Sequence, residues 1–156
     1  MTEQIAGFIT LGVAYAAVGM AAIGSAIGTG IAGQAAIGAW KKCYQQGKAA
    51  PFLLLALVGA PLSQTIYGMI LMYSMKSSAE KGAPGLALLI IGLAAGLAIG
   101  WSAWYQGRAA AASADSFGET EKGFTNNFGA LGVVETVAIF VMVFTMLVLS
   151  ATVPAA

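Results

Sequence analysis

The chain has 156 residues, 59% of them hydrophobic and only 8% charged, with a mean hydropathy of +0.84; a soluble domain carries about 25% charged residues, so no water-facing surface can be built from this composition. The net charge of +1 gives no footing for a nucleic-acid partner. A single cysteine, Cys43, and the lack of histidine exclude an internal disulfide and leave zinc and haem without their usual ligands, and no organic cofactor is expected.

The N-terminal Met1-Thr2-Glu3-Gln4 has no basic region, so a hydrophobic segment that stays in place is expected rather than a cleaved signal peptide. Charges then divide the chain. None falls between Glu3 and Lys41, between Lys48 and Lys76, or between Lys81 and Arg108, and from Gly123 onward the only charge is Glu135. Each stretch exceeds the about 20 apolar residues that cross a bilayer as a helix, the form that satisfies its own backbone in lipid. The predicted spans run at roughly 5–40, 51–75, 84–113 and 124–151. Pro51 and Pro84 stand where a helix can begin, near N1. The expected fold is an all-α membrane protein, one membrane domain over 1–156. Its four transmembrane helices form two tandem hairpins, 1–76 and 84–156.

Orientation follows Lys and Arg. The loops after spans one and three carry Lys41, Lys42, Lys48, Arg108 and Lys122, the middle loop carries Lys76 and Lys81, and the termini carry none. That bias puts the first and third loops in the cytoplasm and both termini outside.

The hairpins resemble each other. Gly19, Ser25-Ala26, Gly30 and Ala32 match Gly96, Ser102-Ala103, Gly107 and Ala109 at one constant offset, and Gln64-Thr65-Ile66 aligns with Glu135-Thr136-Val137 at another. A duplicated hairpin that kept one carboxylate and replaced the other with an amide accounts for both. Gly24, Gly28 and Ala32 in span one, and Gly92, Gly96 and Gly100 in span three, recur every four residues; such stripes let membrane helices approach closely. Gly28-Thr29-Gly30-Ile31-Ala32-Gly33 also fits the dinucleotide fingerprint, but that needs a preceding strand and an acidic residue about 20 positions on. No acidic residue lies between Glu3 and Glu80, and no phosphate-binding loop exists. The chain therefore has no nucleotide site, and any nucleotide hydrolysis belongs to another chain.

Glu135 stands about 12 residues into span four, near mid-membrane. An ionised carboxylate there costs on the order of 3 kcal/mol or more, and no intramembrane Lys or Arg offers a pair, so an ion or proton site is the expectation. A structural glutamate bonded to a neighbour is the alternative. Ala60, Ser63, Gln64 and Tyr67 form one stripe of span two at i, i+3, i+4 and i+7. Pro61 removes a backbone donor and can free carbonyl oxygens in that stripe, as in broken membrane helices that bind cations. Gln106 joins this level if span three continues through Ala109–Ala112, strong helix formers, to about Phe117. The set is a carboxylate, two amide carbonyls and a hydroxyl, hard donors suited to a hard cation. That excess of desolvated polarity favours sodium over a proton, unless the amides merely cross-link helices. Tyr67 can hold the carboxylate; Thr136 can add a contact or bond its own backbone.

Pro61-Leu62-Ser63-Gln64-Thr65-Ile66-Tyr67-Gly68, Tyr105-Gln106-Gly107 and Val134-Glu135-Thr136, with Ile23-Gly24-Ser25-Ala26-Ile27-Gly28 in span one, resemble the proteolipid (c or K) subunit of V-type ATPases. The likeness is closest to bacterial sodium-translocating members. It implies a homo-oligomeric ring in the bacterial cell membrane, turning against a stator subunit with an essential arginine while central-stalk and ATP-hydrolysing soluble subunits drive it. The chain itself is then no enzyme. Glu135 carries the ion, and the implied sodium ligands are Glu135, Gln64, Gln106, Ser63 and the backbone carbonyl of Ala60, with Tyr67 in support. Ser63 replaces a threonine and Ala60 a leucine of the sodium-binding members. A proton-carrying rotor remains an alternative, as does a four-span secondary exporter. Such exporters carry their carboxylate in the first span, which here has none, and a structural channel or scaffold is a third class.

Overall fold

The computed structural model describes residues 2–154, with side chains described at residue 7 and from residue 9 onward. Met1, Ala155 and Ala156, which fall within the expected hairpin bounds, lie outside the described residues. Five α-helices follow in order: α1 (Thr2–Gln45), α2 (Leu54–Gly59), α3 (Ser63–Glu80), α4 (Gly85–Thr120) and α5 (Phe124–Ala151), with a 3-10 turn over Ala60–Leu62 between α2 and α3. No strand occurs among the described residues. With α2, the turn and α3 counted as one unit, four helical segments are long and apolar enough to cross a membrane.

Several boundaries differ from the sequence reading, each for a local reason. The second span starts at Leu54, not Pro51. The Pro51 carbonyl instead accepts the Trp40 indole N–H at 2.8 Å, which pins the loop to the end of α1. Pro84 is the extended residue before α4 (ψ 128°) rather than its first helical residue. α3 runs past Lys76 to Glu80, with those two ends paired at 3.8 Å one turn apart. α4 passes Arg108 and the alanine run and ends at Thr120, where Glu121 turns left-handed (φ 56°) and its N–H bonds the Phe117 carbonyl at 2.8 Å. Gly123 (φ 76°) then caps α5.

The first and third connections lie at the same end. Lys42 pairs with Glu119, and Lys48 with Glu121 at 3.6 Å. Both pairs are exposed, so their value lies in register rather than in stability. They align α1 with α4, the two helices that form the spine.

That spine is a backbone contact. A Cβ on Gly24 would run into the Gly100 backbone, and one on Gly28 or Gly107 would enter the other helix at Ala103 or Gly28. At Gly96 it would come 2.6 Å from the Ala17 carbonyl oxygen. Gly92 differs: its nearest neighbour is the flexible end of Met75, on α3. Buried alanines continue the seam, Ala32, Ala36 and Ala39 opposite Ala110 and Ala114. α2 and α3 pack against both helices of the spine, and α5 packs against α4 and α3 and buries only Leu131, Ala138 and Leu149.

The apolar core comes in two parts. One gathers Ala17, Ala21, Leu71, Met75, Ile99 and Ala138; the other gathers Ala36, Leu54, Leu57, Ala114 and Leu131. Between them, at the level of residues 60–67, 102–106 and 135, the interior is polar.

Because the spine leaves no room for a side chain, Gly24→Val should destabilise the protein by at least about 1–3 kcal/mol, the usual cost of overpacking. Unfolding in mixed detergent micelles measures it. Gly129→Ala, inside α5 with nothing within 4 Å of the new atom, should not lower the unfolding midpoint, since alanine suits a helix better than glycine by up to about 1 kcal/mol.

Candidate functional site

Pro61 has no N–H to give the Leu57 carbonyl, and the backbone there tightens into the 3-10 turn Ala60–Leu62. Ser63, Gln64 and Tyr67 follow the turn directly, and the Ala60 carbonyl within it meets a side chain. Ser63 Oγ lies 3.1 Å from that oxygen and 3.2 Å from Gln64 Oε1, within donating reach of both.

Gln64 is fully buried and Gln106 is 1% exposed. Their side chains meet between α3 and α4, where Gln64 Nε2 donates to Gln106 Oε1 at 2.7 Å. Gln106 Nε2 in turn donates to Glu135 Oε2 and to the Leu131 carbonyl, both at 3.1 Å. The other carboxylate oxygen, Glu135 Oε1, accepts the Tyr67 hydroxyl at 2.5 Å. A chain of hydrogen bonds therefore runs from Ser63 through both amides to Glu135 and back to α3 at Tyr67. The extension of α4 past Arg108 is what brings Gln106 to this depth. Glu135 is the twelfth residue of α5, roughly 17 Å along the helix from Phe124 at 1.5 Å per residue.

The half-buried carboxylate borders a cleft of about 320 Å³ between the second span and α5, lined by Ala60, Ser63, Gln106, Leu131, Gly132 and Glu135 among others. Oxygens of Ala60, Ser63 and Glu135 thus stand around one opening. Gln64 lies behind it and reaches the carboxylate only through Gln106. Gln106 presents its N–H group to Glu135 and its oxygen to Gln64, so in this arrangement it is a donor to the carboxylate. It becomes an oxygen ligand only after its amide rotates. Thr136 is turned away: its hydroxyl donates to the Val133 carbonyl at 2.7 Å within α5.

One member escapes the sequence reading. Ser102, buried one turn before Gln106, donates to the Val134 carbonyl at 3.2 Å and ties α4 to α5 beside Glu135. Its i, i+4 spacing to Gln106 is the signal that could have found it. Ser25, its counterpart in the repeat, keeps a buried hydroxyl with no partner.

The family described as the C subunit of ATP synthase matches residues 89–148, a stretch that holds both Gln106 and Glu135. No curated protein matches the chain. Over that stretch the chain is similar to a c-type proteolipid, and its four apolar helical segments are long enough to cross a membrane.

Burying two amides against each other makes each depend on the other. Gln64→Leu leaves Gln106 Oε1 unpaired and should cost about 1–3 kcal/mol. Gln106→Leu, which also strips a donor from Glu135, should cost more. The double variant should cost less than the two together by about 0.5–3 kcal/mol of coupling. A double-mutant cycle of unfolding in mixed micelles measures all three.

Proposed function

We propose that the chain is the ion-carrying rotor subunit of a rotary V-type ATPase, with sodium as its cargo. The observation that carries the reading is the place of Glu135. It sits deep in an apolar helix, is held by Tyr67 and Gln106, and faces a cleft edged by the Ser63 hydroxyl and the Ala60 carbonyl.

A bare carboxylate facing lipid costs on the order of 3 kcal/mol or more. A bound cation removes that charge, so the loaded site can cross lipid while the empty one cannot. Sodium sheds its water only where several oxygens replace it. Glu135, Ser63 and Ala60 supply oxygens at the cleft, and Gln106 adds another when its amide rotates. That rotation turns Gln106 Nε2 toward Gln64, whose amide flips in step so that its Oε1 accepts that N–H, and Gln64 supports the cation through Gln106. Tyr67 keeps its bond to Glu135 throughout and fixes the carboxylate.

In this reading identical copies form a ring in the bacterial cell membrane. The two lysine-bearing connections at one end face the cytoplasm, following the basic-residue bias, and both termini lie outside. A stator subunit with an essential arginine draws the ion off. Central-stalk and ATP-hydrolysing subunits supply the torque. The second reading is the same rotor carrying protons. One feature favours it: Gln106 offers Glu135 its N–H rather than an oxygen, so sodium needs that amide turned while a proton needs only the carboxyl group.

Carbodiimide labelling of Glu135 separates the two. Sodium at constant pH should protect Glu135 from the reagent. Protection by acid alone, with sodium inert, would replace sodium by the proton. Tyr67→Phe should raise the sodium concentration for half-protection by about tenfold or more, the worth of a hydrogen bond to a charged group. Glu135→Gln in reconstituted vesicles should abolish ATP-driven sodium uptake.

A further inference from the structure

An open cleft of about 550 Å³ lies between α3 and α5 at the end of the molecule that holds the α3–α4 connection, and it shares no residue with the Glu135 cleft. Ser77, Ser78 and Lys81 line it from α3 and its cap, Ser150 lines it from α5, and Met146 makes it apolar toward the membrane centre. Its depth follows from the helices. With the bilayer centred on α5, a rise of 1.5 Å per residue puts Met146 about 13 Å from the midplane and Ser150 about 19 Å. Counted from Gln64, which shares the level of Glu135, Lys81 falls at about 22 Å. Hydrocarbon ends at about 15 Å from the midplane and the headgroup layer at about 20–22 Å. The apolar part of the cleft thus lies among acyl chains and its polar rim among phosphates.

The polar groups differ in what they have left to offer. Lys81 is exposed and makes no ion pair among the described residues, whereas Lys76 is paired with Glu80 at 3.8 Å. The Ser77 and Ser78 hydroxyls make no hydrogen bond among the described residues, so each keeps a proton to donate. Ser150 already donates to the Leu147 carbonyl at 2.7 Å, which leaves its oxygen with lone pairs alone. α3 and α5 both end here, at Glu80 and Ala151, and the last carbonyls of a helix carry partial negative charge. One ammonium and two hydroxyl donors therefore stand beside a set of acceptors. A plain anion suits the first group and is repelled by the second. A trimethylammonium headgroup has no N–H for the acceptors. A phosphate diester joined to a primary ammonium satisfies both.

We propose that this cleft binds the headgroup of phosphatidylethanolamine. Lys81, Ser77 and Ser78 hold the phosphate, the Ser150 oxygen and the terminal carbonyls accept the ammonium N–H groups, and an acyl chain runs over Met146 toward the bilayer centre. The headgroup bridges α3 to α5 and braces, from its far end, the helix that carries Glu135.

Native mass spectrometry tests the site. The full-length chain is exchanged in detergent with equal amounts of phosphatidylethanolamine, phosphatidylglycerol and phosphatidylcholine of identical acyl chains, and the retained lipid is read on release. Phosphatidylethanolamine should be retained over the other two by about tenfold or more, the worth of hydrogen bonds to a charged group. Lys81→Gln should release phosphatidylethanolamine and phosphatidylglycerol alike, while Ser150→Ala should lower the preference between them. Lys122→Gln, which removes an exposed lysine at the opposite end, should change nothing. Glycerophosphoethanolamine, the same headgroup without acyl chains, should not displace the lipid at equal concentration. Equal retention of the three lipids, preference for phosphatidylglycerol, no retained phospholipid, displacement by the chain-free headgroup, or retention unchanged in both Lys81→Gln and Ser150→Ala overturns the site. Each of these outcomes leaves the sodium-rotor reading standing.

Discussion

An acid group in hydrocarbon must be surrounded by donors or emptied of charge, and the interior of this protein is arranged around that demand. Two apolar clusters fill the interior toward its two ends, and the layer between them is given over to Ser63, Gln64, Tyr67, Ser102, Gln106 and Glu135. Polar groups in a low-dielectric layer are stabilising only when every one is satisfied. Here the chain of bonds closes from Ser63 through the amides to the carboxylate and back to Tyr67. The helix contacts follow from it. α3, α4 and α5 must all reach one depth, which the 3-10 turn, the long α4 and the glycine spine together permit.

The spine does for geometry what the polar layer does for chemistry. Membrane helices gain little from hiding apolar surface, since lipid is equally apolar, so close packing has to supply the association. Glycine at Gly24, Gly28, Gly100 and Gly107 lets backbone meet backbone. That rigid pair forms a fixed wall from which Gln106 and Ser102 project toward α5. α5 itself is held by few buried side chains, so Ser102 and Gln106 carry much of its registration.

Much of this is legible in the sequence because membrane spans tolerate so few polar residues. Glu135, Gln64, Gln106 and Tyr67 announce themselves against an apolar background, and helical spacing brings them to one level. The extension of α4 is legible from the alanine run alone. What the sequence leaves open is directional. Nothing in residue identity says that Gln106 offers nitrogen rather than oxygen to Glu135, or that Thr136 turns back on its own helix. Those choices depend on where the neighbouring backbone stands to within an ångström. The boundary at Pro51 is hidden for a related reason. A tryptophan eleven residues earlier claims its carbonyl, and a distant side chain of that kind has no local pattern.

The glutamine at position 64 has a further consequence. Two carboxylic acids joined through one intervening amide would lose their protons in two linked steps, with the second acid hindered by the charge of the first. An amide has no proton to lose in any physiological range. It keeps both a donor and an acceptor at every acidity. Exchange of one oxygen for nitrogen thus leaves a single acidic group in this layer, and under the proposed rotor function each copy carries one charge there.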